Sequence, residues 1–295
     1  MEVMPPAVLA ALPREGSLAT LRPGEAVDGI YACTRKQRLA ARTGQPYLAV
    51  ELRDRTATIQ ARLFRDADLY GARFEAGDLV AVKGRVVRFR EQTQVELERI
   101  ERAPAEQADP AAFLPVSYRD LDELDGFLEH LAREVTDPGY MRLLESLLGD
   151  AAFRAEFRRA ACTRDSHHAY LGGLLEHTVA VATLAQELAL GHPRLDTDLL
   201  ISAAIVHDIG KTREFTYGAA IERSDEGRLL GHVQIGLRLL RERAASLDEQ
   251  RLLALEHCVL VHHGPDNRCQ SVEALALHRL NALDASVKGA LEHGL

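Results

Sequence analysis

The chain has 295 residues, of which 46% are hydrophobic, and a formal net charge of −8. A chain of this length favours two domains over one core, and no apolar run is long enough to cross a bilayer. The N-terminal stretch MEVMPPAVLAALPREG starts acidic and contains early prolines, so it is not typical of a signal peptide. Four widely spaced cysteines without a CxxC pair favour a reduced, cytoplasmic setting.

Charge is distributed unevenly along the chain. Residues 20–103 contain 16 Lys and Arg against 12 Asp and Glu, a net of +4, whereas the remainder carries a net of −12. Eleven of the twelve histidines follow residue 160. A mildly basic first part and an acidic, histidine-rich second part indicate two different roles.

The first part alternates hydrophobic and polar residues from about residue 26. Five strands are predicted, in AVDGIYAC, PYLAVELR, ATIQARLF, LVAVKGRVVRF and QVELERIE, with a short helix between residues 65 and 74. Gly84 interrupts the fourth strand, which predicts a β-bulge or a sharp coil there. Five short strands favour a small all-β, OB-like barrel, with an SH3-like barrel as the alternative.

Barrels of this type bind single-stranded nucleic acid through a basic groove and aromatic stacking platforms. The candidate binding residues are Tyr47, Phe64, Arg35, Lys36, Lys83 and Arg85, together with Tyr31, Phe89, Arg38 and Arg88. Alternatively, most of the aromatic side chains fill the barrel core, because five strands need large residues inside. A net charge of only +4 predicts modest, salt-sensitive affinity.

The segment RAPAEQADPAAFLPVS, residues 102–117, has prolines and small residues and predicts a linker. Beyond it, apolar residues recur at three- and four-residue steps in seven segments, which predicts an all-α bundle. The predicted organisation is a tail at 1–18, a nucleic-acid-binding barrel at 19–103, a linker at 104–118 and a helical domain at 119–295.

Polar groups interrupt the apolar faces of at least five predicted helices. They are His177, His207, Asp208, His232, His262, His263 and Asp284. Imidazole and carboxylate groups together suit divalent zinc, manganese, iron or magnesium, whereas burying so many imidazoles without a shared partner costs about a few kcal/mol each. Adjacent helical residues point about 100° apart, so His207 and Asp208 can reach one ion only from the end of a helix. The two oxygens of Asp208 can bridge two ions.

The order H…HD…D resembles that of the HD-domain metal phosphohydrolases. The stretches HHAYLGGLLEHT, AAIVHDIGKTREF, DEGRLLGHVQIG and VHHG are similar to the YhaM family of 3′-to-5′ exoribonucleases, whose members carry an OB-type domain ahead of the HD domain. The resemblance extends into TGQPYLAVELRDRTATIQARLF and GDLVAVKGRVV and covers most of residues 20–290. It implies an OB-like barrel followed by an HD-domain helical bundle.

The resemblance also implies a set of metal ligands, which are His177, His207, Asp208, His232, His262 and His263. The final acidic ligand of the family falls in RLNALDAS, where Asn281 occupies the first acidic position and Asp284 the second, and the choice between them stays open. The implied cofactor is one or two divalent ions. Manganese is favoured, with iron, magnesium, zinc or cobalt as alternatives.

Four residues are predicted to serve catalysis. Asp208 belongs to the HD pair, and Lys211 matches a family lysine that contacts a phosphate; the alternative for Lys211 is a solvated lysine at a helix end. His168 and Arg164 are candidates for contacting the substrate phosphate or for protonating the leaving oxygen, with capping or surface contacts as the alternative. The glycines of LGGLLEHT either permit a tight entry into a helix or let a phosphate approach its N-terminus.

The predicted function is a metal-dependent 3′-to-5′ exoribonuclease that hydrolyses single-stranded RNA to nucleoside 5′-monophosphates by metal-activated water. Single-stranded DNA is a further candidate substrate, a homo-oligomer is compatible with the sequence, and no membrane partner is predicted. Two alternatives remain, a phosphohydrolase acting on a small nucleotide and a non-catalytic nucleic-acid-binding protein with a degraded metal site. The pairing of the two domains favours a polymer substrate.

Overall fold

The computed structural model describes residues 17–41, 43–90, 92–104 and 113–294. The chain divides into two compact units, one with the barrel and Tyr217–Ile221, the other with Val116–Thr216 and the residues from Glu222 onward. Most of the predicted tail and about the first half of the predicted linker, residues 1–16 and 105–112, lie outside the described residues.

Five strands close into a barrel in the first unit. They are β1 (Ala26–Ala40), β2 (Pro46–Arg53), β3 (Thr58–Leu63), β4 (Leu79–Phe89) and β5 (Gln92–Arg102), with the short helix α1 (Ala67–Gly71) between β3 and β4. The strand order is β1-β2-β3-β5-β4, and β4 pairs with β1 to close the barrel. Strands β3 and β5 are parallel, and the other pairs are antiparallel. This five-stranded closure confirms the predicted OB-like barrel.

Hydrophobic residues at alternate positions of the strands form the barrel core. Ile59, Ala61 and Leu63 of β3 are buried, as their spacing predicts. The register of β4 against β5 shifts between Lys83 and Gly84, so the predicted bulge is confirmed. A Cβ atom at Gly84 would lie 2.4 Å from the carbonyl oxygen of Glu96, so the backbone of β5 passes where a side chain would begin.

Nine helices are described in the second unit. They are α2 (Leu121–Arg133), α3 (Pro138–Leu148), α4 (Ala151–Arg159), α5 (Gly173–Gly191), α6 (Thr197–Val206), α7 (Lys211–Glu214), α8 (Asp225–Arg243), α9 (Glu249–Val261) and α10 (Val272–His293). Side chains that accept backbone N–H groups begin seven of them, namely Asp120, Asp137, Asp150, Asp196, Ser224, Asp248 and Ser271. None of the described helices is both long and apolar enough to cross a membrane.

The part of the chain after residue 118 contains one feature that the periodicity does not predict. A two-stranded hairpin, β6 (Phe215–Tyr217) and β7 (Ile221–Arg223), follows α7 directly. Strands of three residues are too short to show an alternating pattern, which is why the prediction of an all-α region misses them. Apart from this hairpin, the predicted helical bundle is confirmed.

Gly84→Ala should lower the free energy of unfolding by about 1–3 kcal/mol, because β5 must shift to admit the methyl group. Urea denaturation followed by circular dichroism measures the change. Gly126→Ala is the matched control, since a Cβ there meets no atom within 4 Å. It should raise the free energy of unfolding by up to about 1 kcal/mol, because alanine favours the helical conformation of α2 more than glycine does. Equal effects of the two substitutions would contradict the role given to Gly84.

Candidate functional site

The HD pair lies where a buried helix ends. Helix α6 is buried from Leu199 to Val206, and His207 is its C-terminal cap. Asp208 follows in the turn that leads to α7, and both side chains are buried. Because the chain leaves the helix at this point, the two side chains can reach a common centre, as the sequence predicts.

Two histidines of this centre are oriented by main-chain carbonyl groups. His207 donates from Nδ1 to the carbonyl oxygen of Ala204 at 2.8 Å, and His262, which follows α9, donates from Nδ1 to that of Val259 at 2.6 Å. A neutral imidazole that donates from one nitrogen carries a lone pair on the other. Both rings therefore present Nε2 as an acceptor or a metal ligand.

Two further histidines are oriented by carboxylates. Nδ1 of His232, in α8, lies 3.1 Å from Oε2 of Glu214. Nδ1 of His177, in α5, lies 2.6 Å from Oδ2 of Asp284. Such contacts fix the tautomer of a ligating imidazole, and they again leave Nε2 with the lone pair.

The four Nε2 atoms surround the carboxylate of Asp208. Its Oδ2 lies 3.2 Å from Nε2 of His207 and 3.6 Å from that of His177. Its Oδ1 lies 3.4 Å from Nε2 of His232 and 3.4 Å from that of His262. Each carboxylate oxygen therefore faces its own pair of imidazoles.

His263 joins the side of Oδ1. Its Nε2 lies 3.0 Å from Nε2 of His232. Asp208, His232, His262 and His263 offer ligand atoms that all lie within 4.8 Å of one another. This spacing suits a shared metal ion.

Several of these acceptors have no donor. Within the described ranges, Oδ1 of Asp208 and Nε2 of His262 are buried without a hydrogen-bond partner. Nε2 of His177 and Nε2 of His207 face each other at 3.2 Å, although each bears a lone pair. An unsatisfied buried acceptor costs about 1–3 kcal/mol, and a divalent cation removes that cost by accepting the lone pairs. The residues therefore fit a divalent metal.

The protonation states also suit metal binding. Burial lowers the pKa of His177 to about 4 and also lowers the pKa of His262. Burial raises the pKa of Asp208, but the nearby Lys211 and His207 outweigh it and hold that pKa well below its ordinary value. At neutral pH His177 and His262 are thus neutral imidazoles and Asp208 is an ionised carboxylate, which are the forms that bind metals.

A cavity of about 570 Å³ opens onto this centre. Lys211 lines it, with Nζ 2.6 Å from Oδ2 of Asp208 and 3.3 Å from Sγ of Cys162. The volume lies in the range of small-molecule sites and can accept a group the size of one nucleotide.

Two glycines bring α8 to the HD turn. A Cβ at Gly210 would lie 1.9 Å from the carbonyl oxygen of His232, so only glycine allows this approach. Gly231 has φ of 70°, which interrupts α8 immediately before His232. The interruption allows His232 to point at Asp208 from a helix that would otherwise continue straight.

The other predicted site residues divide between the cavity and the layer behind it. Arg164 lines the cavity and pairs with Asp165 at 2.6 Å. Asn281 lines it too, whereas Asp284 contacts His168 and His177. His168 is buried and makes its side-chain hydrogen bonds in that second layer.

The cavity wall also contains residues that the sequence reasoning did not single out. They are Cys162, Thr163, Asp165, His167, Phe215, Arg223, His278, Ala282 and Ala285, together with Glu214, which orients His232. Glu214 and His167 lie in the stretches HDIGKTREF and HHAY that carry the family resemblance, so the resemblance could have identified them as site residues. Arg223 belongs to the hairpin and had no such signal.

The barrel carries an exposed aromatic cluster. The rings of Tyr47 and Phe64 lie with centroids 5.3 Å apart. The guanidinium carbon of Arg62 lies 5.9 Å from the Tyr47 centroid and 5.2 Å from the Phe89 centroid. Phe64 and Phe89 are exposed. We call Tyr47, Arg62, Phe64 and Phe89 the aromatic platform.

The remaining barrel candidates lie apart from these ring contacts. Arg35, Lys83 and Arg85 are exposed on β1 and β4. Lys36 is largely buried, because Nζ donates to the carbonyl oxygen of Phe74 at 2.5 Å and to Glu75. Tyr31 is buried in the barrel core, as the alternative interpretation of the aromatic residues expects.

Comparison with known proteins matches both units. The HD domain family matches residues 174–286, and the family of OB-fold nucleic acid binding domains matches residues 33–103. The 3′-5′ exoribonuclease YhaM of Bacillus subtilis is 30% identical over 273 residues, which cover 90% of this chain and 86% of the relative. That of Bacillus pumilus is 30% identical over 284 residues, which cover 92% of this chain and 89% of the relative. That of Bacillus velezensis is 29% identical over 272 residues, with 90% and 86% coverage.

Proposed function

This chain belongs to the YhaM family of 3′-5′ exoribonucleases, and we propose that it hydrolyses single-stranded RNA from the 3′ end with the help of divalent metal ions. One observation carries the proposal, which is the convergence of imidazole nitrogens on both oxygens of Asp208, beside a cavity that His232, His262 and His263 line. A cavity of about 570 Å³, which can accept a group the size of one nucleotide, supports removal of terminal residues as nucleoside 5′-monophosphates.

The ligands divide into two sets around Asp208. His177 and His207 would hold an ion at Oδ2, and the three histidines at Oδ1 would hold a second. A bound divalent ion supplies a Lewis acid for the phosphate and activates water at neutral pH. The mixture of imidazole and carboxylate ligands is compatible with manganese, as it is with iron and zinc.

We assign the final position beside the metal to Asn281 rather than to Asp284. Asn281 lines the cavity, whereas Oδ2 of Asp284 accepts hydrogen bonds from His177 and His168. An amide oxygen is neutral and therefore a weaker ligand for a divalent cation than a carboxylate. Affinity at this position is accordingly lower than an aspartate would give.

The protein's own charges in the cavity suit a phosphodiester. Burial lowers the pKa of Lys211, but the adjacent Asp208 raises it by more, so the ammonium group stays protonated. A phosphate bound beside Asp208 therefore meets a fixed positive charge. Arg223 adds a second positive charge to the wall, whereas the charge of Arg164 is paired with that of Asp165.

The aromatic platform supports binding of the single strand by the barrel. Bases stack on aromatic rings regardless of their identity, and Arg62 adds a cation beside two of the rings. Stacking alone does not distinguish ribose from deoxyribose, so single-stranded DNA is a second candidate ligand of this surface.

With Mn²⁺ and single-stranded RNA, label at the 3′ end should be released first as a mononucleotide, while RNA labelled at the 5′ end shortens stepwise. His207→Ala should slow the reaction by more than about 100-fold, because it removes a ligand and not merely a group behind one. RNA binding should stay within about twofold of the parent, and the exposed His192→Ala serves as the matched control. Cleavage of small phosphate esters while RNA stays intact would support a phosphohydrolase that acts on a small nucleotide. Binding of RNA without hydrolysis of either substrate would support a non-catalytic nucleic-acid-binding protein.

Asn281→Asp should tighten Mn²⁺ binding by about tenfold or more, because a carboxylate replaces a neutral amide beside the ion. Isothermal titration calorimetry measures the dissociation constant. Asn267→Asp adds the same charge at an exposed position and should leave the constant unchanged. Equal constants for the parent and Asn281→Asp would remove Asn281 from the metal site.

Phe64→Ala should weaken binding of single-stranded RNA by about 5- to 100-fold, the effect of losing one stacked base. Fluorescence anisotropy with a labelled oligonucleotide at fixed salt measures the change. Phe127→Ala removes a similarly exposed ring from the helical unit and is the control. If both variants bind RNA like the parent, the platform is not the binding surface.

A further inference from the structure

His168 occupies a strained and fully enclosed position behind the metal centre. Its φ is 53°, in the left-handed region that few side chains adopt, and only 1% of the residue is exposed. Strain of this kind persists only where the surroundings impose it. The contacts of His168 show what imposes it here.

Two glycines make room for the His168 backbone. A Cβ at Gly173 would lie 2.2 Å from the carbonyl oxygen of His168, and Gly172, the N-cap residue before α5, has φ of 81°. That carbonyl oxygen also accepts the N–H groups of Cys162 and Tyr170. The pair of glycines thus permits a tight entry into α5, packed directly on His168.

The side chain of His168 is held from both ring nitrogens. Nδ1 lies 3.0 Å from the hydroxyl oxygen of Tyr170, whose own proton goes to Oε2 of Glu176 at 2.9 Å. Nε2 lies 3.1 Å from Oδ2 of Asp284. The Tyr170 hydroxyl donates to Glu176, so its oxygen faces Nδ1 of His168 as an acceptor, and the carboxylate of Asp284 faces Nε2 as an acceptor.

Glu176 fixes the far end of this chain of contacts. It also accepts hydrogen bonds from Ser117 at 2.7 Å and from Nζ of Lys288 at 2.8 Å. Burial raises the pKa of Glu176, but Lys288 and Ser117 outweigh it and lower that pKa below its ordinary value. An ionised Glu176 is an acceptor only, so it determines the direction of the Tyr170 hydroxyl proton.

We infer that His168 is a positioning residue of the metal site, which holds Asp284 so that Asp284 accepts from Nδ1 of His177. The 2.6 Å contact between Asp284 and His177 keeps the lone pair of His177 on Nε2, which faces His207 and Asp208. The contacts run in order from Glu176 through Tyr170, His168 and Asp284 to His177. This inference rests on the metal site of the proposed function and gives His168 a role that does not require contact with the substrate.

The inference is tested by comparing the dissociation constant of Mn²⁺ between the parent protein and its variants, measured by electron paramagnetic resonance without RNA. His168→Asn should raise it by about 10- to 100-fold, the usual effect of removing a group behind a metal ligand. Asn tolerates positive φ, so the substitution probes the side chain rather than the backbone. His130→Asn makes the same change at an exposed position and should have no effect.

Tyr170→Phe removes one hydroxyl and keeps the ring, so it should fold even if His168→Asn does not. It should raise the Mn²⁺ constant by about two- to tenfold, the effect of one lost hydrogen bond. Saturating Mn²⁺ should restore the rate of RNA shortening in both variants, because the ligand remains and only its orientation is impaired.

Unchanged Mn²⁺ constants in both variants overturn the inference, and so does a loss of kcat in His168→Asn that saturating Mn²⁺ does not restore. The second result would place His168 in contact with the substrate. If the parent binds Mn²⁺ but leaves RNA intact, the proposed exonuclease function fails, and the Mn²⁺ constants alone still decide the role of His168.

Discussion

The buried carboxylate of Asp208 is the group on which the helical unit depends. Its two oxygens face imidazoles that come from different parts of the chain, with His177 and His207 on one side and His232 and His262 on the other. A buried carboxylate is stable only when cations or donors surround it. Lys211 supplies one such contact, and the imidazole lone pairs around the rest of the carboxylate require a cation.

This requirement explains why the packing around the centre is unusually close. Gly210 lets the backbone of α8 approach the HD turn, and Gly173 lets the backbone of His168 rest on α5. In both places any side chain would overlap a carbonyl oxygen of the neighbouring segment. These close approaches fix the geometry of the site, as is common where a site must be preorganised.

The sequence predicts the elements whose hydrophobic residues follow a regular spacing, and it predicts the single residues that break that spacing. Alternation predicts the barrel strands, and the bulge at Gly84 follows from one glycine in an apolar run. The histidines and Asp208 stand out because they break apolar helical faces. Arg62 looks like an ordinary outward-facing residue in its strand, so only the fold shows that it lies beside two rings. For the same reason the sequence cannot separate Asn281 from Asp284, because their difference lies in which of them lines the cavity.

The aromatic platform and the cavity differ in the chemistry that they offer to a nucleic acid. The aromatic platform offers ring faces, which accept any base, and the cavity offers a carboxylate, imidazoles and Lys211, which suit a phosphate and its metals. Stacking and charge carry little information about base sequence, because that information lies in the hydrogen-bonding edges of the bases. A chain that relies on these contacts is therefore suited to shortening many different strands rather than to recognising one site.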